Sequence, residues 1–432
     1  MAEKNVLIIG GGAAGLAAAR TLSKSGANAH IVEKSDFLGG HAIGYTCKAA
    51  DTCLQCGACS VEMLLRDVTA DPNIQVHRSA IVSKVEQKKG FTITLDKGPM
   101  FIDPEKCNNC GVCYEKAPAE GCVLRGYSQH NKPLYAINKD RIDECGPLAD
   151  ACPEGAINLN AKATSETFSV DAVIVASGFK AFDAGIKSTY GYGKFPNVIS
   201  GLDMERIKRE KGALLRPSDN TAAQKIAFIQ CVGSRDEKLG NLWCSRVCCP
   251  YALRSAKSLK YKDPEADITV FYMDIQSFGK EFPVFYESCR EDFRFVRMIP
   301  VDVFPTKDDK LSIRFFDDEG SAVADEGAAA EAAEADEAAE TPGGPAAVYD
   351  TFDLLVLSVG ITPNPDNAGL AELLGLDLDS DGFFTLSEEL NATATAKAGV
   401  FVAGTAQQPK TIDASIAQAD QAANEALKYL GE

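Results

Sequence analysis

Residues 5–15 read NVLIIGGGAAG, and residues 16–33 continue LAAARTLSKSGANAHIVE. Asn5 to Ile9 is a short buried strand, and three glycines stop it. An alanine-rich helix follows over 14–25, then a second strand over 29–32 that ends at Glu33. Each part has a physical task. Gly10 permits the tight turn, Gly12 lets the backbone approach a pyrophosphate, and Gly15 lets the helix lie close on the strand. The helix amino end, at Ala13 and Ala14, offers unpaired N–H groups and the positive end of a dipole to phosphates. Glu33, followed by Lys34, stands where a carboxylate accepts from ribose hydroxyls. A glycine motif alone is weak, but in this strand–loop–helix–strand–acid setting it predicts a dinucleotide site.

Further along the chain, FAD is favoured over NAD. Gly39-Gly40-His41 follows the acid, as in flavoproteins with two dinucleotide domains. Residues 169–179, SVDAVIVASGF, form a buried strand ending in the small-residue turn Ala176-Ser177-Gly178. Residues 352–360, FDLLVLSVG, form another. The carboxyl end reads GVFVAGTAQQPKTIDASIAQADQAANEAL over 399–427. There a strand reaches Gly404 and Thr405, and a helix begins near Ile412, after Thr411. Its amino end is expected to face the flavin pyrimidine carbonyls. Val82 completes the expected cofactor-binding set. Lys410 is the one cation expected near the isoalloxazine, where it would favour a reduced, anionic flavin. The predicted fold is α/β, a flavoprotein with two dinucleotide-binding domains and an inserted ferredoxin-like α+β module.

The insertion is read from the cysteines. Twelve of the fifteen fall into three groups of four, the number of thiolates that a [4Fe–4S] cluster needs. Residues 102–118, IDPEKCNNCGVCYEKAP, and 142–157, IDECGPLADACPEGAI, share one pattern, an internal repeat typical of bacterial ferredoxins. In that arrangement three ligands come from C-x2-C-x2-C and the fourth from the Cys-Pro of the other half. Here these are Cys107, Cys110, Cys113 and Cys152. Ala117 stands where the other Cys-Pro cysteine would be, so a second cluster is not expected and Cys122 and Cys145 read as leftovers. Zinc would also fit four cysteines, though the ferredoxin repeat speaks against it. A second group, Cys231, Cys244, Cys248 and Cys249, follows the strand KIAFIQ of 225–230, where a nucleotide domain would carry G-x-G-x-x-G. The strand–helix layout is kept and the glycine motif is absent; buried structural thiols are the bland alternative. The third group, Cys47, Cys53, Cys56 and Cys59, comes soon after His41. It reads either as a cluster site or as a redox dithiol against the flavin. Cys289 reads as a buried hydrophobe, and His30, His77 and His130 as structural or solvent-facing.

Composition sets the outer limits. At 432 residues the chain holds two or three domains. No apolar run approaches the ~20 residues of a membrane helix, and no signal peptide is read. A soluble, cytoplasmic protein is expected, its cysteines serving metal or redox chemistry. The formal charge of −17 argues against nucleic acid as a partner. Ten acidic and no basic residues lie within 317–347, so the rest of the chain carries −17 less those ten, −7. This Ala/Glu-rich stretch reads as a solvated insertion, 317–348, between the strand-like runs 310–316 and 349–358, in an elongated hairpin or connection.

IQCVGSRD and WCSRVCCPYAL within 229–253, VFVAGTAQQPKTI at 400–412 and VEKSDFLGGH at 32–41 resemble the A-subunit family of heterodisulfide reductases, the flavin-carrying subunits of those complexes. The closest resemblance is to the branch found in the quinone-interacting membrane-bound oxidoreductase of sulfate reducers. The resemblance covers nearly the whole chain. It implies a thioredoxin-reductase-like fold with FAD, two to three [4Fe–4S] clusters, and an unusual cluster on Cys231, Cys244, Cys248 and Cys249. It implies an FAD-binding domain in three parts (1–98, 161–220 and 362–432), a ferredoxin-like module at 99–160, and a degenerate nucleotide domain at 221–361. The implied partners are adenylylsulfate reductase, a membrane subunit reaching menaquinone, and a second flavin/iron–sulfur subunit. They would hold the chain at the inner face of the cytoplasmic membrane with no span of its own. Merging of electrons of different potential is a further implication. The absence of extra terminal ferredoxin modules points to the quinone-linked branch, and the four-cysteine run at 47–59 departs from the relatives. Two other functions stay open: a disulfide reductase acting through Cys47–Cys59, and an NAD(P)H-dependent flavoprotein reductase, against which the missing second glycine motif argues.

Overall fold

The strand Asn5–Ile9 buries four of its five residues, as an apolar run between two helices must. It is the centre of a five-stranded parallel sheet ordered Val400–Val402, Ala172–Val175, Asn5–Ile9, Asn28–Val32, Ile74–His77. The computed structural model describes residues 4–127, 133–316, 347–387 and 391–431. It divides the chain into two units, one of residues 1–44, 57–179 and 363–432, the other of 45–56 and 180–362.

In the first unit the helices Ala13–Lys24 and Ile412–Tyr429 lie together. Their buried faces are largely alanine: Ala14, Ala17 and Ala18 on one, Ala419, Ala422, Ala423 and Ala426 on the other. Small side chains let the backbones approach, and Thr21 Oγ1 donates to Asp420 Oδ1 at 2.6 Å. A three-stranded antiparallel sheet, Ala80–Gln87, Phe91–Lys97 and Thr164–Val170, shares a core with the parallel sheet through Val82, Phe91, Ile93 and Leu95 against Leu7, Ile9 and Val32. The expected single strand over 169–179 is therefore two: one antiparallel to Val170, one parallel from Ala172. Between Lys97 and Thr164 the inserted module folds on its own small core of Phe101, Cys113, Cys122, Val123, Cys145, Leu148 and Ile157. A bridge between Ile102 and Ile157 closes it.

The second unit repeats the parallel design. Its sheet is ordered Val198–Ser200, Leu354–Val359, Lys225–Val232, Asp267–Phe271, Arg294–Val296. The helix Cys248–Lys262 covers one face, with Ala252, Leu253 and Ala256 on Ile226, Phe228 and Val356. A three-stranded antiparallel sheet, Asp302–Pro305, Leu311–Phe316 and Ala347–Phe352, completes the unit. Leu311–Phe316 and Ala347–Phe352 pair antiparallel, but the second run breaks at Asp353. The carboxylate of Asp353 accepts from Gln224 N at 3.0 Å and Lys225 N at 2.8 Å, and Leu354–Val359 crosses into the parallel sheet. The acidic stretch expected over 317–348 lies, for residues 317–346, outside the described residues.

The short segment Tyr45–Cys56 is held in the second unit by a buried charge pair. Lys48 and Glu205, with side chains 2% and 3% exposed, form an ion pair. The same carboxylate accepts from Thr46 N at 2.8 Å and Thr46 Oγ1 at 2.6 Å. The Lys48 ammonium also lies over the rings of Tyr45 and Tyr251, 5.2 Å and 4.9 Å from their centres. Among the described residues no helix is long and apolar enough to cross a membrane.

Candidate cofactor and cluster sites

Two positions of the glycine loop are closed to any side chain. Gly10 has φ +110°, and a Cβ there would come within 2.2 Å of the Ala176 carbonyl oxygen. At Gly15 a Cβ would stand 1.8 Å from the carbonyl oxygen of Gly10, so the helix can pack only on glycine. Around Gly12 there is room: the nearest atom to a Cβ would be Gly40 Cα at 3.9 Å. No side chain caps the helix Ala13–Lys24, which leaves its first-turn N–H groups for a ligand. Glu33 ends its strand with Oε2 accepting from Gly11 N and Oε1 from Ser35 N, each at 2.8 Å. Its carboxylate is thus fixed at the loop.

The other expected contacts converge on this loop in part. Gly39 N donates to Gly11 O at 2.7 Å, and a Cβ on Gly40 would meet Gly12 Cα at 3.2 Å. The His41 ring packs on Phe179 with centroids 4.6 Å apart, and its Nε2 is 3.3 Å from Phe179 O. Ser177 Oγ donates to Asn367 Oδ1 at 2.9 Å, and Gly178 takes φ +77°. Gly404 reaches the first helix from the carboxyl end: a Cβ there would lie 2.8 Å from Ala14 Cβ. Thr405 follows in the turn Gly404–Ala406. Thr411 caps the helix that starts at Ile412, accepting from Ala414 N at 3.4 Å. Val82 is buried in the neighbouring antiparallel sheet. Lys34 pairs with Asp366, and Lys410 Nζ donates to Gln407 Oε1. Sequence reading missed Gln418, which accepts from Gly404 N at 2.8 Å and donates to Ala392 O at 2.5 Å. Its signal was a buried polar residue on an alanine face.

In the inserted module Cys107, Cys110, Cys113 and Cys152 line one open pocket, with Tyr135, Pro153 and Ile157 among the walls. Cys152 Sγ accepts from Ala156 N at 3.4 Å. Asn109 and Gly111, with φ +58° and +84°, turn the chain so that three cysteines serve one space. Burial, with Cys107 nearby, raises the Cys113 thiol pKa. Cys122 and Cys145, the supposed leftovers, are both fully buried in the module core. Cys145 Sγ donates to Arg141 O at 3.2 Å, and burial first, then Cys122, pushes its pKa up to about 11. Such thiols are inert packing groups.

In the second unit Cys231, Cys248 and Cys249 are buried at the carboxyl end of the sheet, and Cys244 is half-buried. Cys231 takes φ +59°, a left-handed conformation unusual for any residue but glycine. Cys248 hydrogen-bonds to Cys231, and this contact, aided by Arg235, lowers the Cys231 pKa to about 7. The same contact raises Cys248, while Cys249 is lowered by its hydrogen bond with Cys248. Arg235 is held by Asp274, with Nη2 at 3.2 Å from Oδ2. Ser245 Oγ accepts from Ile361 N at 2.8 Å, tying the Cys244 loop to the sheet. Cys289 is a buried hydrophobe on this unit's core.

The third group is split. Cys47, Cys53 and Cys56 belong to the segment held by Glu205, and Cys59 to the helix Ala58–Thr69 of the first unit. The turn before that helix lies against the carboxyl-terminal helix: a Cβ on Gly57 would be 3.2 Å from Ile412 Cβ. Among the described residues, no group of three or more Cys, His, Asp or Glu is arranged to hold a single metal ion.

A family model described as an NAD(P)-binding Rossmann-like domain matches residues 8–58. The iron–sulfur A-subunit of CoB–CoM heterodisulfide reductase from Methanocaldococcus jannaschii is 35% identical over 98% of this chain and 64% of its own length. The A-subunit of the H2:CoB–CoM heterodisulfide,ferredoxin reductase of Methanothermobacter marburgensis is 35% identical over 98% of the chain and 63% of its own length. This chain resembles the A-subunits of heterodisulfide reductases. It spans a little under two thirds of the length of these relatives. Among solved structures, thioredoxin reductases from T. acidophilum and Lactococcus lactis each match at a TM-score of 0.52, with 12% and 14% identity over 99% of both chains. The resemblance to the heterodisulfide reductase A-subunits thus comes with a thioredoxin-reductase-like fold.

Proposed function

We propose that this chain is an FAD- and iron–sulfur-carrying electron-transfer subunit of a multi-subunit oxidoreductase, with no small organic substrate of its own. The observation that carries this reading is the cavity ringed by Cys107, Cys110, Cys113 and Cys152, in a fold whose glycine loop is shaped for a dinucleotide. When bound, FAD would supply two-electron chemistry and the clusters one-electron transfer. The residues would do the rest. Gly10, Gly12 and Gly15 admit the pyrophosphate, Glu33 takes the ribose, and the Gly404–Ile412 return closes the cradle. Cys107, Cys110, Cys113 and Cys152 would hold one cluster and Cys231, Cys244, Cys248 and Cys249 a second. A third on Cys47, Cys53, Cys56 and Cys59 would give three.

The finer reading places the chain between the menaquinone pool and adenylylsulfate reductase, beside a quinone-reactive membrane subunit and a second flavin/iron–sulfur subunit. It draws on the motifs at 32–41, 229–253 and 400–412. A competing reading, a heterodisulfide or other disulfide reductase, is favoured by the Gly57 turn lying on Ile412, which brings Cys59 to the helix end expected at the flavin. Iron, sulfide and flavin analysis with EPR on anaerobically purified protein tests the first reading. About twelve irons per FAD supports three clusters and about eight supports two; protein without flavin or iron would end it. If Cys53→Ser keeps all iron but abolishes disulfide turnover, the second reading stands at Cys47–Cys59.

A further inference from the structure

Buried polar atoms in folded proteins are nearly always hydrogen-bonded, because one left alone loses its bonds to water without replacement. Three side chains at the carboxyl ends of the second unit's strands depart from this. Gln230 is 1% exposed, and neither its Nε2 nor its Oε1 has a partner among the described residues. The hydroxyls of Ser234 and Ser358, also buried, are likewise unpartnered. Gln230 and Ser358 lie on paired strands, and Ser234 lies beside Gly360 at the end of one of them. Ile229 pairs with Leu357 and Val232 with Val359, and the register shifts between them, so Gln230 and Cys231 together lie opposite Ser358. Ser234 Cβ lies 3.1 Å from where a Cβ on Gly360 would stand.

Their faces are fixed by strand alternation. Gln230 shares a face with Ile226 and Phe228, and Ser358 with Leu354 and Val356. All four apolar residues belong to the core under the helix Cys248–Lys262. The unpartnered groups of Gln230 and Ser358 therefore lie at the end of the face that this helix covers, the end where its first turn carries Cys248 and Cys249. Gln230 directly precedes Cys231, and Ser234 follows it by three residues. Glutamine is no packing choice in the strand KIAFIQCV, where every other residue from Ile226 on is apolar and buried. A methionine would fill the same space without stranding an amide.

We propose that Gln230, Ser234 and Ser358 donate N–H···S and O–H···S hydrogen bonds to the sulfur atoms of the cluster carried by Cys231, Cys244, Cys248 and Cys249, and so set its reduction potential. This rests on the cluster reading given under Proposed function. One-electron reduction adds negative charge to the cluster, so donors aimed at its sulfurs stabilise the reduced form more than the oxidised one and raise the potential.

The test is an EPR-monitored redox titration with proton ENDOR on the anaerobically purified full chain, comparing Gln230→Met and the double variant Ser234→Ala/Ser358→Ala with the parent. The expected result is unchanged iron and sulfide, a lower midpoint for one cluster signal only, and loss of exchangeable-proton couplings from that signal. Should Gln230→Met fail to fold, the serine variants, which remove only oxygen atoms, carry the test. Unshifted midpoints and intact couplings in iron-replete variants overturn the proposal. Cys248→Ser separates the two levels of inference. If that variant keeps every iron and every signal, the cluster reading itself is lost, whatever the donors do.

Discussion

The two parallel sheets of this molecule begin a helix in the same way and serve different ends. In the first unit the strand Asn5–Ile9 passes to the helix Ala13–Lys24 through three glycines. The positive φ falls on Gly10, where the atoms nearest a Cβ would all be backbone. In the second unit the strand Lys225–Val232 reaches its helix only at Cys248. The positive φ falls on Cys231, and the longer path carries Arg235 and Cys244. One turn has no side chains of its own and would let a phosphate approach its N–H groups. The other is filled with thiols and a cation. The architecture supplies the same strand end and helix start in both, and the side chains at the turn decide which ligand chemistry fits.

The sharpest way to break this comparison is Gly15→Val. Its Cβ would collide with the Gly10 carbonyl, so loss of all bound flavin, together with soluble yield, is expected; flavin retained at parental stoichiometry would show that the loop is not the cradle. Next comes the buried pair that holds the Cys47 segment. Removing one partner with Glu205→Ala strands the Lys48 ammonium, 2% exposed, and a loss of about 3–5 kcal/mol in denaturant unfolding is expected. The two cysteine groups should then differ in kind. Cys107→Ser, on the half-buried rim of its cavity, should lose one cluster's iron with little change in Tm after iron is removed from both proteins. Cys248→Ser places a hydroxyl in a fully packed core and should lose iron and also lower the Tm of the iron-free protein by several degrees. Equal Tm losses would erase the distinction.

The smallest effect is a pH dependence confined to the first unit. His77 is buried in a stack with His30 and Phe168. Burial first, then Lys97, lowers its pKa to about 4. The unfolded chain takes up this proton near pH 6.5 and the folded chain does not. Its contribution to stability is therefore complete above pH 6.5 and is lost as pH falls from there toward 4. His77→Phe should flatten part of the Tm decline between pH 7 and pH 5; an unchanged slope would assign the decline to other groups.

Much of this was legible in the chain because it is local. The glycine loop, the strand ending at Glu33, the helix after Thr411 and the ferredoxin spacing all express rules that act over a few residues. What stayed hidden is set by partners far apart in sequence. Nothing near Lys48 announces Glu205, 157 positions away. Gln230 reads as one polar residue in an apolar strand until Ser358 is seen beside it. The two runs pair as far as Phe352, and the run expected over 349–358 breaks at Asp353 because two amides across the sheet, on Gln224 and Lys225, outweigh the continuity of the apolar run. The supposed leftovers Cys122 and Cys145 turned out to be core, which cysteine spacing alone does not reveal.

The excursion of residues 45–56 has a practical corollary. The polypeptide changes unit four times, at 44–45, 56–57, 179–180 and 362–363, so neither half is a continuous stretch of gene. A fragment cut at 179 would carry Lys48 without its carboxylate, and one beginning at 180 would carry Glu205 without its ammonium. Evolution is therefore expected to have transmitted the two halves as one heritable block, and recombination at the visible boundary would leave both products with a buried charge and no counter-ion.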